Sequence, residues 1–323
     1  MKPKNFQIQG ECLAYTYKIQ NGEDMSMFYQ LINQQYSYIK QLGFSIAIGQ
    51  EFNQQDCNYL ALSLQSFKLL ENLYINIPQN CNIGILGAIE LSQGFQFCQK
   101  LKQLKIDIGY QTQIGQEEIL YIGEGIGSIK NLDQLTIQIG QNEIKGGFKM
   151  FGDQIGNCKN LTKLFLQIDS NQLQDEGTQG ISCILKGCIN LKIASIKLFS
   201  NEIKKEGALT ISQGLSYCKN LEKLTLMIGE DNMIESAGLE YLGDGLRQCN
   251  RLQVLKLFIM PYNMLGYKGY INFSKSLQKC KELKIFEFKY QNITASEVKD
   301  FQYQLFKVRK LAKININKDD KFY

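Results

Sequence analysis

Apolar residues recur along this chain in two alternating rhythms. Between Leu221 and Ile228, the residues Leu224, Leu226 and Ile228 alternate with Thr225 and Met227, the period of two that marks a strand with one buried face. Just upstream, Ala208, Ile211, Leu215 and Cys218 stand three, four and three residues apart, which puts all four on one side of a helix. The helical spacing returns as Ala88, Leu91, Phe95 and Cys98, as Leu239, Leu242, Leu246 and Cys249, and as Val298, Phe301, Leu305 and Val308. The chain is thus predicted to cycle through strand, turn and helix.

The cycle has a fixed length. CKNLEKLTLMIGEDNMI from Cys218 echoes CKNLTKLFLQIDSNQL from Cys158, and strand segments led by Leu101, Leu132, Leu161, Leu191, Leu221, Leu252 and Leu283 follow one another at 29 to 31 residues. The same step backward reaches Leu70, then Gln41 and Cys12, where Gln and Cys replace the leading Leu; forward it reaches Leu311. About eleven copies of roughly 30 residues therefore fill residues 1–323 as a single domain. One copy cannot cover its own apolar face, so copies stack, strands in one parallel sheet and helices in a second layer. Strands neighbour one another at about 4.8 Å and helices at roughly 8–10 Å, which bends the stack with the sheet inside. The expected fold is an α/β solenoid, a horseshoe with its sheet on the concave face and its helices on the convex face.

The pattern L-x-x-L-x-L, then an Asn, then G-x-x-x-L-x-x-x-L, resembles the leucine-rich repeats of the ribonuclease-inhibitor type over essentially the whole chain. In that family the Asn follows the first Leu by eight residues. Here Asn142, Asn171 and Asn201 follow Leu132, Leu161 and Leu191 by ten, and Asn232 and Asn263 follow Leu221 and Leu252 by eleven. The strand is accordingly read as longer by one inward residue, such as Ile139 or Ile228, and the Asn as a strand-exit residue that bonds its local backbone. Gly207, Gly238 and Gly269 are read as turn residues ahead of the helices.

Composition narrows the chemistry. The chain contains no histidine, which removes imidazole-based triads, His-activated nucleophiles and His metal sites. Its ten cysteines include no C-x-x-C pair, and six of them, Cys98, Cys158, Cys188, Cys218, Cys249 and Cys280, hold one register three residues before the leading Leu. Phe67 and Ile129 fill the same register, so these cysteines are read as small buried hydrophobes with reduced thiols. With no apolar leader at its start, the chain is expected in a reducing intracellular compartment, cytoplasmic or cytoskeletal. No apolar run reaches the roughly 18–20 residues of a membrane span. Net charge is +5, from 36 Lys and Arg against 31 Asp and Glu; this excess reads as spread along the chain, so nucleic acid is not indicated.

Other chemistry-bearing groups stay apart. GEGIGS, Gly123–Ser128, falls in a helical segment and lacks the Lys of a phosphate loop. Asp107 and Asp169 fall two repeats apart, and Arg247 and Arg309 fall in outer helices, away from the inner face. No catalytic, cofactor-binding or metal-binding constellation results.

Function is therefore expected on the outward strand positions, which vary where the core positions repeat. Apolar ones gather on consecutive repeats as Phe165, Phe199, Met227, Phe258 and Met260, with Lys197, Lys256 and Lys289 interleaved. Exposed aromatics and methionines suit a protein contact, and the lysines suit an acidic partner surface. The chain is expected to be a non-enzymatic interaction scaffold, or a structural subunit of a larger assembly, that binds a protein on its concave face and takes no cofactor or small-molecule substrate. The tail KDDKFY, 318–323, is a candidate cover for that face. The alternative is a GTPase activator of the Ran-activator type, to which the resemblance in repeat architecture extends; that group's acidic tail and functional Arg residues find no match here.

Overall fold

The computed structural model describes residues 6–17, 25–79, 81–260, 263–290 and 294–318. Among them the two rhythms become twelve strands and ten helices. The strands are β1 (Phe6–Gln9), β2 (Cys12–Tyr17), β3 (Gln41–Ile46), β4 (Asn72–Ile77), β5 (Gln103–Ile108), β6 (Gln134–Ile139), β7 (Lys163–Ile168), β8 (Ile193–Leu198), β9 (Lys223–Ile228), β10 (Val254–Ile259), β11 (Ile285–Tyr290) and β12 (Lys313–Lys318). The helices are α1 (Met25–Gln35), α2 (Gln54–Ser66), α3 (Gly84–Gln96), α4 (Gln116–Gly127), α5 (Gly147–Ile155), α6 (Gln174–Gly187), α7 (Lys205–Leu215), α8 (Glu235–Leu246), α9 (Tyr267–Leu277) and α10 (Ala295–Leu305).

All twelve strands form one sheet in chain order, parallel from β2 to β12. Alternation decides which side chains point inward: Leu224, Leu226 and Ile228 are buried while Thr225 and Met227 between them are half-exposed. The extra inward residue read from the spacing is present, since Ile139 and Ile228 close their strands at 1% and 0% exposure. Helices pack on the inward side, and the outward side of the sheet becomes the concave surface of a solenoid of about eleven repeats. The antiparallel β1 is not foreshadowed by the repeat. It turns back through Gly10, at φ 60°, and pairs with the edge that β2 would otherwise expose.

The first two copies stand two residues out of the expected alignment. Ile39, 0% exposed, takes the place of the leading Leu and Leu42 pairs with Leu73, so Gln41 is the first strand residue and Ile48 is 82% exposed rather than inward. From Leu70 to Leu283 the leading Leu is a buried residue two positions ahead of its strand, and Leu311 holds the same place half-buried.

Side-chain ladders tie the copies together. Asn142, Asn171, Asn201, Asn232 and Asn263 are buried at the strand exits. Their bonds are not confined to their own loops: the Asn171 Oδ1 accepts from Asn142 N–H, and its Nδ2 donates to Ile139, Gly140 and Asp169 carbonyls. Thr112 occupies the equivalent buried position one copy earlier and donates to Asn142 Oδ1. At the opposite end, Asn131, Asn160, Asn190 and Asn220 each donate Nδ2 to a carbonyl of the preceding copy at 2.7–3.1 Å. The register cysteines are buried as expected, and from Cys158 to Cys280 their thiols also donate to the helix of the preceding copy, Cys218 to Leu185 O at 3.4 Å and Cys249 to Leu215 O at 3.3 Å.

Helices approach through small residues. A Cβ on Gly180 would stand 2.0 Å from Phe148 O, and one on Gly152 would stand 2.2 Å from Gly180 O, so α5 and α6 touch backbone to backbone. Gly207, Gly238 and Gly269 lie inside the first turns of α7, α8 and α9 rather than in turns ahead of them. Gly207 N–H, with Lys204 N–H, donates to Asp175 Oδ1 of the preceding helix, a cap supplied across the repeat boundary.

Candidate functional site

Strand register, rather than order in the sequence, decides which outward residues meet. Neighbouring positions across β7 to β11 form two rows: Phe165, Ser195, Thr225, Lys256 and Glu287, and beside it Gln167, Lys197, Met227, Phe258 and Lys289. The second row brings four of the expected residues together. Met227 and Phe258 are half-exposed neighbours, with Lys197 on one side and Lys289 on the other. The Lys289 ammonium stands 5.6 Å from the Phe258 ring centroid, within cation–π reach.

The other expected residues take different places. Lys256 is in the first row and pairs with Glu287 at 2.9 Å, so its charge is partly answered on the face itself. Phe199 lies just past β8 and covers Gly229, where an added Cβ would stand 2.0 Å from the ring. Phe165 is three strands from Phe258 and lines a separate depression of about 400 Å³ with Lys105, Thr136, Gln138 and Lys197. Met260 does not belong to the surface: it is 3% exposed. Alternation placed it outward, but it lies past Ile259, the last residue of β10, where the strand's alternation no longer governs direction. The tail proposed as a cover lies, from Asp319 onward, outside the described residues.

Asp169 supports Phe199 in a way spacing did not foretell. Its Oδ1 accepts from Phe199 N–H at 3.1 Å and its Oδ2 from Gln167 Nε2 at 2.7 Å. Burial raises the Asp169 carboxyl above the ordinary carboxylate range, and these two bonds together with the charge of Lys197 offset part of that rise. Asp107 is raised by burial in the same way, against the charge of Lys105. Asp107 is on β5 and Asp169 lies just past β7, with β6 between them, so the two carboxyls do not converge.

A second concavity, of about 680 Å³, opens where β2 to β6 begin, with Ile8, Ala14, Gly43, Tyr74 and Lys105 among its lining. Small side chains at Ala14 and Gly43 leave the sheet bare there. The two-residue misalignment of the first copies hid this feature in the sequence.

Arg247 follows α8 as its cap, Arg309 lies beyond α10, and a third arginine, Arg251, falls between α8 and β10; all three are on connections from helix to strand rather than inside the outer helices. Among the described residues no three His, Cys, Asp or Glu side chains are grouped to hold a metal ion, and no helix is long and apolar enough to cross a membrane. No model of a known protein family matches the chain, and no curated protein matches its sequence.

Proposed function

We propose that this chain is a leucine-rich-repeat protein of the ribonuclease-inhibitor-like type, acting as a non-enzymatic scaffold or assembly subunit that holds a protein partner on its concave face. The fold reading rests on the thirty-residue cycle of strand and helix and on the buried Asn at the exits of β6 to β10. One observation carries the functional reading. Lys197, Met227, Phe258 and Lys289 form an unbroken row on four neighbouring strands, an apolar centre flanked by a cation at each end. Such a row fits a partner segment with an apolar side chain between acidic ones. Buried, protonated thiols with no disulfide among them fit a reducing compartment, cytoplasmic or cytoskeletal.

Affinity capture from native lysate tests this. Wild-type protein is expected to retain a partner that the Met227→Asp, Phe258→Asp double variant loses, with both folded by circular dichroism. Met150→Asp, on the exposed face of α5, is expected to retain it. Equal capture by all three proteins removes the concave face from consideration. Acceleration of single-turnover GTP hydrolysis by the wild type would instead favour the Ran-activator alternative.

A further inference from the structure

Charge that is spread along the sequence is sorted by the fold. Each helix passes into the next strand through a short connection, which together with the first residue of that strand covers 36–41, 67–72, 97–103, 128–134, 156–163, 188–193, 216–223, 247–254, 278–285 and 306–313. Backbone bonds from each connection to the one before, from Glu71 N–H to Lys40 O through to Ala312 N–H to Lys284 O, line all ten along one rim. They hold 19 of the 36 Lys and Arg but 4 of the 31 Asp and Glu, so the chain's +5 divides into +15 on this rim and −10 elsewhere. This corrects the expectation that basic residues form no stripe. Positions one cycle apart in the chain stand side by side in the solenoid.

Helix ends account for a third of that charge. Ten carbonyl termini at about −0.5 each amount to about −5. The surplus gathers at the last three connections, where nine cations meet the single acid Glu282. Arg247 pairs with Asp244 and Lys310 with Glu282, whereas Arg251, Lys279, Lys281, Lys284, Arg309 and Lys313 form no ion pair among the described residues. Beside them stand two rings left largely in solvent, Phe306 at 74% and Tyr303 at 63% exposure, the latter with Lys307 Nζ 4.6 Å from its centroid. Farther along the rim, Tyr217 is 52% exposed and takes Lys186 Nζ at 5.2 Å.

We propose that this rim binds single-stranded nucleic acid, with phosphates on the cations of the last three connections and bases on Phe306 and Tyr303. Cations alone would suit any polyanion. Exposed rings set among them suit unstacked bases, each of which offers a π-face, whereas a segment of acidic side chains alone would leave the rings idle. Neighbouring connections stand between the strand spacing of about 4.8 Å and the helix spacing of roughly 8–10 Å, a range that brackets the separation of successive phosphates on an extended strand. The rim presents connections rather than a helix or β-ribbon that could enter a duplex groove.

The test is fluorescence anisotropy with a labelled uridine oligonucleotide of about twenty residues. Saturable binding is expected at about 50 mM NaCl. With about four phosphate contacts, at a slope of about −0.7 each, affinity falls about fifty-fold as salt rises to about 200 mM. Lys281→Glu with Arg309→Glu weakens binding at least tenfold. Phe306→Ala weakens it at least fivefold with the salt dependence unchanged. Lys268→Glu with Lys299→Glu makes the same charge change within α9 and α10, off the rim, and leaves affinity within twofold. Circular dichroism checks that each variant is folded, and Phe306→Ala carries the test if the charge reversals are not. No saturable binding at low salt overturns the proposal, as does an equal loss in the off-rim control or no effect of Phe306→Ala. Tighter binding to polyglutamate, or to phosphatidylserine vesicles, than to the oligonucleotide also overturns it, in favour of an acidic protein or a membrane surface.

Discussion

Asn201 does more than close its own loop. Its Oδ1 accepts from Asn171 N–H and Leu173 N–H of the preceding copy, while its Nδ2 donates to Ile168 O at 2.6 Å and Phe199 O at 2.8 Å, with Asn201 itself at 0% exposure. Asn201→Ala strips partners from several buried backbone groups at once, each worth about 1–3 kcal/mol when left unsatisfied. We expect a loss of about 3 kcal/mol or more in urea denaturation at pH 7. Asn201→Asp is expected to fall below wild type as well, because a carboxylate keeps the acceptor but faces two carbonyls without a donor. A loss under about 1 kcal/mol for the alanine variant would mean that water replaces the ladder. The position of each Asn was legible from its interval of ten or eleven residues after the leading Leu. Its cross-repeat partners were not, because distance along the chain does not say which neighbour's amide comes within reach. The same holds for the thiols, whose burial followed from Phe67 and Ile129 sharing their register while their donation to the preceding helix did not.

Strands and helices were legible as elements because both rhythms are strong, and the failures have local causes. In the segment Ile39-Lys40-Gln41-Leu42 the spacing L-x-x-L is met by Ile39 and Leu42, but exposed Ile48 extended the apparent alternation two residues too far. The rows of the concave face were half legible: parity found the outward positions, whereas grouping Lys197, Met227, Phe258 and Lys289 apart from Phe165 required the register. Helix contacts were not legible, since a glycine inside a helix reads as a weakness until the neighbouring backbone is in place. Gly180 meets Phe148 O so closely that a methyl group cannot be added without moving α5 from α6. Gly180→Ala is therefore expected to cost about 3 kcal/mol, at the upper end for overpacking, despite the better helix propensity of Ala. Gly115→Ala makes the contrast, because a Cβ there meets only the flexible end of Glu118 at 3.1 Å, and it is expected to change stability by less than about 1 kcal/mol. Equal midpoints for the two variants would show that the helix layer yields freely.

At the scale of the whole molecule, the solenoid turns every recurring position into a line, and lines act collectively. That is why a +5 chain carries a basic rim, and it also makes six cysteines behave as one titrating set. Burial pushes the thiols of Cys98, Cys188, Cys218 and Cys280 up to about 12 and that of Cys158 to about 11, and raises Cys249 as well. An unfolded thiol ionises near 8.5. Between that value and the folded values the unfolded chain releases protons that the native chain keeps, so stability is intact below about pH 8.5 and falls as pH rises. Each fully buried thiol contributes a slope of about 1.4 kcal/mol per pH unit, so several together outweigh the 5–15 kcal/mol stability of an ordinary domain within about two units. Cooperative alkaline unfolding is expected between about pH 9 and 11, followed by far-ultraviolet circular dichroism. Tyrosine ionisation would act in the same range, so the deciding comparison is a variant with Cys188, Cys218 and Cys249 replaced by Val. Its midpoint is expected to move to higher pH by about half a unit or more, provided it is folded at pH 7. An unmoved midpoint would assign alkaline unfolding to the tyrosines and leave the thiol row without a part in it.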